Sequence, residues 1–350
     1  MRYRVKQTPE ATWTYLDAIT GSNVAVSGLA SSTTYQFEVA GGRTSEGQGG
    51  PWSRTSEKTT ASVPSAPATL TLTSKLRSLD VAWAKPVTSG ASLTAITLRY
   101  RLTTSSTWTT VALPASATKY TITGLSALKK YRVEVAGQNV VGTGLPATGG
   151  EQVALGTASA PRSLAAKSGD RKVTLTWSAP SSLGGDLLSE YVVQMRSYSA
   201  TTKTWSAWVT KTTTPSRSAT ISSLVNGAKY QFRVLARTLV AKDGTASSAV
   251  SVVPAGKPLA PTGVSALATG SSRIKVSWAK ANANGSTISG YTVQYSTNGT
   301  TWRSLKTTTA STTSWTWSSA TRGKTYYFRV IAKSNLGNSP ASSKVRVVAR

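Results

Sequence analysis

Residues 323–335, GKTYYFRVIAKSN, place a tyrosine ahead of alternating apolar and polar side chains and end in small residues. A period of two predicts a β-strand with one buried and one solvated face. The same pattern recurs at 32–40, 130–136 and 229–236. Tyr35, Tyr131, Tyr230 and Tyr326 are therefore separated by 96, 99 and 96 residues. A spacing near one hundred predicts tandem domains, since solenoid repeats have periods of roughly 20–50 residues.

The segments between these tyrosines repeat in the same order. Residues 64–157 hold one whole copy. Pro64-Ser65-Ala66-Pro67 opens it, 69–72 is a first strand, and 79–83 alternates and ends on Trp83. A third strand over 95–102 is followed by Trp108, and 120–125 leads into the tyrosine strand. A Gly/Asn loop at 137–144 then precedes a last strand near 151–155. Ala160-Pro161 and Ala260-Pro261 open two further copies, with tryptophan-ending strands at 173–177 and 274–278 and third strands at 191–195 and 291–295. Asn298-Gly299, just before Trp302, is a hairpin signal. Seven short strands with regularly spaced turns predict an antiparallel β-sandwich.

These units resemble fibronectin type III domains. The resemblance rests on the opening Pro, the second-strand Trp83, Trp177 and Trp278, a Gly/Ser-Leu before the corner tyrosine, a strand of the YxFRVxA type, and the Gly/Asn-rich loop after it. It implies an all-β chain of four tandem seven-stranded sandwiches in a linear array. The expected spans are 1–61, 62–157, 158–256 and 257–350. The fourth copy departs from the pattern at Ala320, where the others have Leu29, Leu125 and Leu224; Trp315 and Trp317 are expected to fill the volume.

The first copy is expected to be incomplete. Tyr3 aligns with Tyr100, Met195 and Tyr295 in the third strand, and in the second and fourth copies this position lies 36 and 37 residues after Pro64 and Pro258. Only two residues precede Tyr3, so strands A and B are expected to be missing, because the chain is a fragment, because its start is misassigned, or because another chain donates them.

Composition narrows the chemistry. The chain has no cysteine and no histidine. Disulfides, thiolate or imidazole metal sites and histidine-based triads are thereby excluded. The twelve carboxylates are scattered, which argues against paired-acid catalysis. No enzyme and no cofactor are expected. No run of 18 apolar residues suits a spanning helix. The net charge of +28 rises along the chain, from +1 over 1–61 to +6, +8 and +13 over the three later spans; the last has thirteen basic residues and no acidic one. A solvated, solubilising surface accounts for such charge, and so does a polyanionic partner.

The outward positions sharpen the second reading. One outward position of the tyrosine strand reads Glu38, Glu134, Arg233 and Arg329. In the fourth copy Tyr327 and Arg329 point outward, as do Lys344 and Arg346 on the neighbouring last strand, giving a candidate polyanion-binding face. Trp83, Trp177 and Trp278 are expected in the core. Trp13, Trp108, Trp302 and one of Trp205 or Trp208 share a position after the third strand and are expected to pack structurally. Trp52, in the loop 41–52, is the candidate exposed contact. Asn284-Gly285-Ser286 and Asn298-Gly299-Thr300 match the glycosylation triplet but read as turns, and no Arg-Gly-Asp triplet is present.

The resulting expectation is a non-catalytic, extracellular or cell-surface array of bacterial type for adhesion or spacing. Its basic end would contact an anionic polymer, a glycan or another protein. The alternatives are a phage tail or virion protein, and accessory domains of a secreted polysaccharide-degrading enzyme. Nucleic acid is not the expected partner, because no recognised binding motif is present.

Overall fold

The computed structural model describes residues 1–7, 9–16, 19–42 and 49–350. Among them every regular element is a strand. The chain forms two compact units, Met1–Thr157 and Ala158–Arg350.

The first repeat comprises β1 (Arg2–Val5), β2 (Thr14–Tyr15), β3 (Thr34–Glu38) and β4 (Ser56–Thr59) in one antiparallel sheet, ordered β2-β1-β3-β4. The second has β5 (Leu70–Lys75), β6 (Ser78–Trp83), β7 (Ala95–Leu102), β8 (Thr109–Pro114), β9 (Lys119–Ile122), β10 (Lys130–Gln138) and β11 (Ala147–Val153). They form two sheets, β5-β6-β9 and β11-β10-β7-β8.

The third repeat has β12 (Arg162–Gly169), β13 (Lys172–Ser178), β14 (Leu188–Ser199), β15 (Thr204–Trp205), β16 (Val209–Thr214), β17 (Ser218–Ile221), β18 (Tyr230–Thr238), β19 (Lys242–Asp243) and β20 (Val250–Val252). The fourth has β21 (Ser265–Gly270), β22 (Arg273–Ser277), β23 (Ile288–Ser296), β24 (Arg303–Thr309), β25 (Ser314–Trp317), β26 (Thr325–Ser334), β27 (Gly337–Asn338) and β28 (Val345–Val348). Each again has a three-stranded sheet, β12-β13-β17 or β21-β22-β25, and a larger one centred on β14-β18 or β23-β26. The two-residue strands β15, β19 and β27 exceed the seven expected; they extend hairpins beyond the sandwich.

The pleat explains the packing. Inward residues of β18 are Tyr230, Phe232, Val234 and Ala236, and those of β13 are Val173, Leu175 and Trp177; all join one buried cluster. The second and fourth repeats have matching clusters around Val81, Leu98 and Val133, and around Val276, Val293 and Phe328. Each large apolar side chain so buried contributes about 1.5–3 kcal/mol. Trp83, Trp177 and Trp278 are 4–5% exposed. Their indole Nε1 groups have no protein hydrogen-bond partner among the described residues. Trp317 packs on Tyr295, Tyr326 and Phe328, next to Ala320, which is 2% exposed.

The recurring tyrosine pins the chain at one corner of each repeat. The hydroxyls of Tyr35, Tyr131, Tyr230 and Tyr326 accept the backbone N–H of Ala30, Ser126, Val225 and Thr321, at 3.0, 2.9, 3.2 and 3.0 Å. All four rings are buried.

Two local expectations need revision. The last strand of the second repeat spans Ala147–Val153, starting earlier than 151–155. Its middle is Gly149-Gly150, which carries no side-chain pattern; Gly149 lies against Leu70 and Leu72, where a Cβ would come within 3.1 Å. In the first repeat, no strand lies between β2 and β3 among the described residues. In the other repeats that strand pairs with the second strand (β6–β9, β13–β17, β22–β25). The first repeat has no such partner among the described residues. One face of its sheet carries Tyr3, Tyr35 and Phe37, with ring centroids 6.0–6.3 Å apart.

Tyr326→Phe is expected to destabilise the fourth repeat by about 1–3 kcal/mol, because the N–H of Thr321 loses its acceptor; an unchanged denaturation midpoint would remove the corner role. Residues 1–61 alone are expected to show no cooperative thermal transition by circular dichroism, because one sheet cannot bury its own apolar face. A sharp melt of that piece would contradict this.

Candidate binding face

In every repeat the tyrosine strand lies between the third strand and the last strand of its sheet. Its outward residues face solvent in register with theirs. Arg2 stands opposite Glu38, Arg99 opposite Glu134, Gln194 opposite Arg233, and Gln294 opposite Arg329. Each pair holds one guanidinium and one oxygen acceptor. Arg2 and Arg99 donate Nε–H to Glu38 and Glu134 at 2.8 and 2.7 Å. Arg233 and Arg329 donate theirs to the Gln194 and Gln294 side-chain carbonyls, both at 2.7 Å. The arginine therefore changes strands between the second and third repeats, and its partner changes from carboxylate to amide.

A tryptophan stacks on the guanidinium in each case. Trp13, Trp108, Trp208 and Trp302 lie 4.4, 4.7, 4.4 and 4.2 Å from Arg2, Arg99, Arg233 and Arg329. Such contacts contribute about 0.5–1 kcal/mol at exposed sites. These half-buried tryptophans pack on the outer face of the sheet, outside the core, and Trp208 is the recurring one. Trp205 instead lies against Tyr198 and Arg196.

A second row runs beside the first, across third, tyrosine and last strands. It reads Arg4, Gln36, Glu57 in the first repeat and Arg101, Arg132, Glu151 in the second. It reads Arg196, Gln231, Ser251 in the third and Ser296, Tyr327, Arg346 in the fourth. Over the two rows the net charge is 0, +1, +2 and +2 in chain order. The third and fourth repeats have no carboxylate in either row.

The sequence-predicted face of the fourth repeat is assembled here. Tyr327 stands opposite Arg346. Lys344 Nζ lies 5.5 Å from the Tyr327 ring and donates to the Gly299 carbonyl at 3.2 Å. Gly299, in the Asn298-Gly299 hairpin, has φ of 73°, a conformation glycine adopts without strain. Arg346 reaches Thr325 Oγ1 at 3.3 Å. Arg329 is one row away, under Trp302, and burial pushes its guanidinium below the usual value. Trp52 is 39% exposed, but Arg2 covers its ring at 4.2 Å and Tyr15 meets it edge-on. Within the loop 41–52, residues 43–48 lie outside the described residues.

Sequence reasoning noted the outward series Glu38, Glu134, Arg233, Arg329 but missed its partners and the arginine–tryptophan stacking. The signal was present: Arg2, Arg99, Gln194 and Gln294 each precede the aligned Tyr3, Tyr100, Met195 and Tyr295. Both glycosylation-like asparagines are engaged in turns. Asn284 Nδ2 donates to the Lys257 carbonyl at 2.9 Å, and Asn298 Oδ1 accepts the N–H groups of Thr300 and Thr301. Among the described residues, no cluster of three or more carboxylate, histidine or cysteine groups is placed to hold a metal. No helix among them is long and apolar enough to cross a membrane.

Comparison with known proteins places these features in context. The family model "Fibronectin type III domain" matches residues 65–151, 159–253 and 259–348. Receptor-type tyrosine-protein phosphatase F of Rattus norvegicus is 33% identical over 170 residues, 47% of this chain and 9% of that protein. Its Danio rerio counterpart is 29% identical over 232 residues, 64% of this chain and 12% of that protein. The chain thus spans about a tenth of the length of these curated relatives. The crystal structure of chicken CNTN1 FN1-FN3 domains is similar over 82% of this chain and 99% of that one, at 19% identity and a TM-score of 0.27.

The Glu38 carboxylate is held below the ordinary glutamate range by hydrogen bonds from Thr55 and Arg2. A lowered folded-state value gives stability that is present above the unfolded value and is lost as pH falls through the folded one. An NMR titration is expected to find Glu38 titrating below an ordinary glutamate, and Glu38→Gln is expected to flatten the acid limb of stability in the first repeat. A normal titration would dissociate the first row from pH.

Proposed function

Because the chain belongs to the fibronectin type III domain family, we propose that it is a non-catalytic, extracellular or cell-surface array of binding and spacer modules whose basic C-terminal end contacts an anionic surface polymer or glycan. One observation carries this reading. The two outward rows go from net 0 in the first repeat to +1, +2 and +2 in the later three, and in the fourth Lys344 adds a further cation beside Tyr327. Cations without neighbouring carboxylates attract a polyanion through a field that salt screens beyond about 8 Å. The phosphatase activity in the relatives' names belongs to those whole proteins and is not carried over.

The test uses the full chain on an immobilised anionic polymer over a salt gradient. Lys344→Glu with Arg346→Glu is compared with Lys275→Glu and Lys280→Glu, which change net charge equally but lie off this face. The face variant is expected to elute at clearly lower salt. Coincident elution would mean that net charge alone governs retention, without a localised surface.

A further inference from the structure

The third repeat carries the same arrangement as the fourth, although only the fourth stood out in the sequence. Arg196 donates Nε–H to Gln231 at 2.8 Å and lies 4.6 Å from the Trp208 ring. Arg233 approaches the same ring at 4.4 Å and is held by Gln194. In the fourth repeat Arg329 is held by Gln294 beneath Trp302. Each of these three guanidiniums engages its protein acceptor through Nε. Their terminal nitrogens have no protein partner among the described residues, and none is a buried, unsatisfied atom.

The contrast with the first two repeats is specific. There one terminal nitrogen of the stacked arginine is engaged: Arg2 Nη2 and Arg99 Nη2 each meet a glutamate at 2.6 Å. An amide accepts one hydrogen bond in place of the carboxylate and leaves the positive charge uncompensated. The stack on tryptophan fixes the plane of the guanidinium. A planar fork with outward terminal donors suits bidentate recognition of an oxyanion. The carboxylates carried by strands of this sheet in the third repeat, Glu190 and Asp243, stand opposite Arg237 and are both bonded by it.

We propose that the outer faces of the third and fourth repeats are oxyanion-binding sites for an acidic polysaccharide, with Arg196, Arg233 and Arg329 presenting their terminal nitrogens to its sulfate or carboxylate groups. This rests on the anionic-polymer reading above and assigns it to particular residues, with Gln194 and Gln294 as the positions that make the sites available. Binding of single-stranded nucleic acid relies on open aromatic platforms for base stacking. Here Trp208, Trp302 and Tyr327 are already covered by cations. A flat sheet also presents no helix or ribbon to enter a duplex groove.

The test is isosteric. Gln194→Glu with Gln294→Glu, in the full chain, installs a cross-strand arginine–glutamate pair like those of the first two repeats, with the two strands exchanged. Its control, Lys172→Gln with Lys275→Gln, changes net charge equally on the opposite sheets. Affinity is measured for heparin, as the sulfated probe, and for polygalacturonate, as the carboxylate probe, with single-stranded DNA as a third arm. The wild-type chain is expected to bind one or both polysaccharides. The glutamate variant is expected to lose about tenfold in affinity, as for loss of a charge-assisted contact, and the control markedly less. In the reverse direction, Glu134→Gln is expected to gain affinity beyond Asp80→Asn.

If the wild-type chain binds neither polysaccharide, the anionic-polymer reading itself fails. If it binds but the glutamate variant matches its control, or Glu134→Gln matches Asp80→Asn, that reading survives and the arginine–glutamine assignment is overturned. Tighter binding to the DNA, with the same dependence on Gln194 and Gln294, overturns the choice of polysaccharide.

Discussion

The pairing of the third strand with the tyrosine strand is the contact on which each repeat depends. It runs through eight paired positions in the second repeat and closes the larger sheet around its most apolar strand. Because successive side chains point to opposite faces, this one register fixes two things at once. The inward residues, such as Phe232 and Val234, build the core. The outward residues at the intervening positions build the charged rows. A slip of one residue would bury the arginines and expose the core, so the surface chemistry is as tightly specified as the packing.

Much of the architecture was legible in the sequence because it is written in side chains that alternate. The four tyrosines, the core tryptophans and the third strands each carry a strong apolar signal, and the structure places them as strands and core. The strand through Gly149-Gly150 was less legible, since glycine contributes no side chain to a pattern. The candidate face was legible where both strands lay close in sequence, as for Tyr327, Arg329, Lys344 and Arg346. Its cross-strand partners were not, because pairing between Gln294 and Arg329 is a long-range property that local alternation does not encode.

The stacked rows also show which contacts survive a change of charge. Trp13, Trp108, Trp208 and Trp302 keep their guanidinium contacts whether the acceptor is glutamate or glutamine. The Arg2–Glu38 and Arg99–Glu134 pairs are part-buried, with the glutamate side chains 11% and 12% exposed. An amide in place of the carboxylate keeps the Nε hydrogen bond and the stack, removes the ion pair, and alters what the surface attracts. The core beneath, built from the inward residues of the same strands, is unaffected by the exchange.

A chain of similar sandwiches has by itself only the direction of its backbone, and one module is much like the next. The move of the arginine from the third strand to the tyrosine strand, with amide in place of carboxylate, gives this chain a second direction, an electrical one. An anionic polymer would thereby distinguish the third and fourth repeats from the second, although these three sandwiches share one strand order. On the proposal above, which repeats meet such a surface is encoded in a few outward side chains of one sheet.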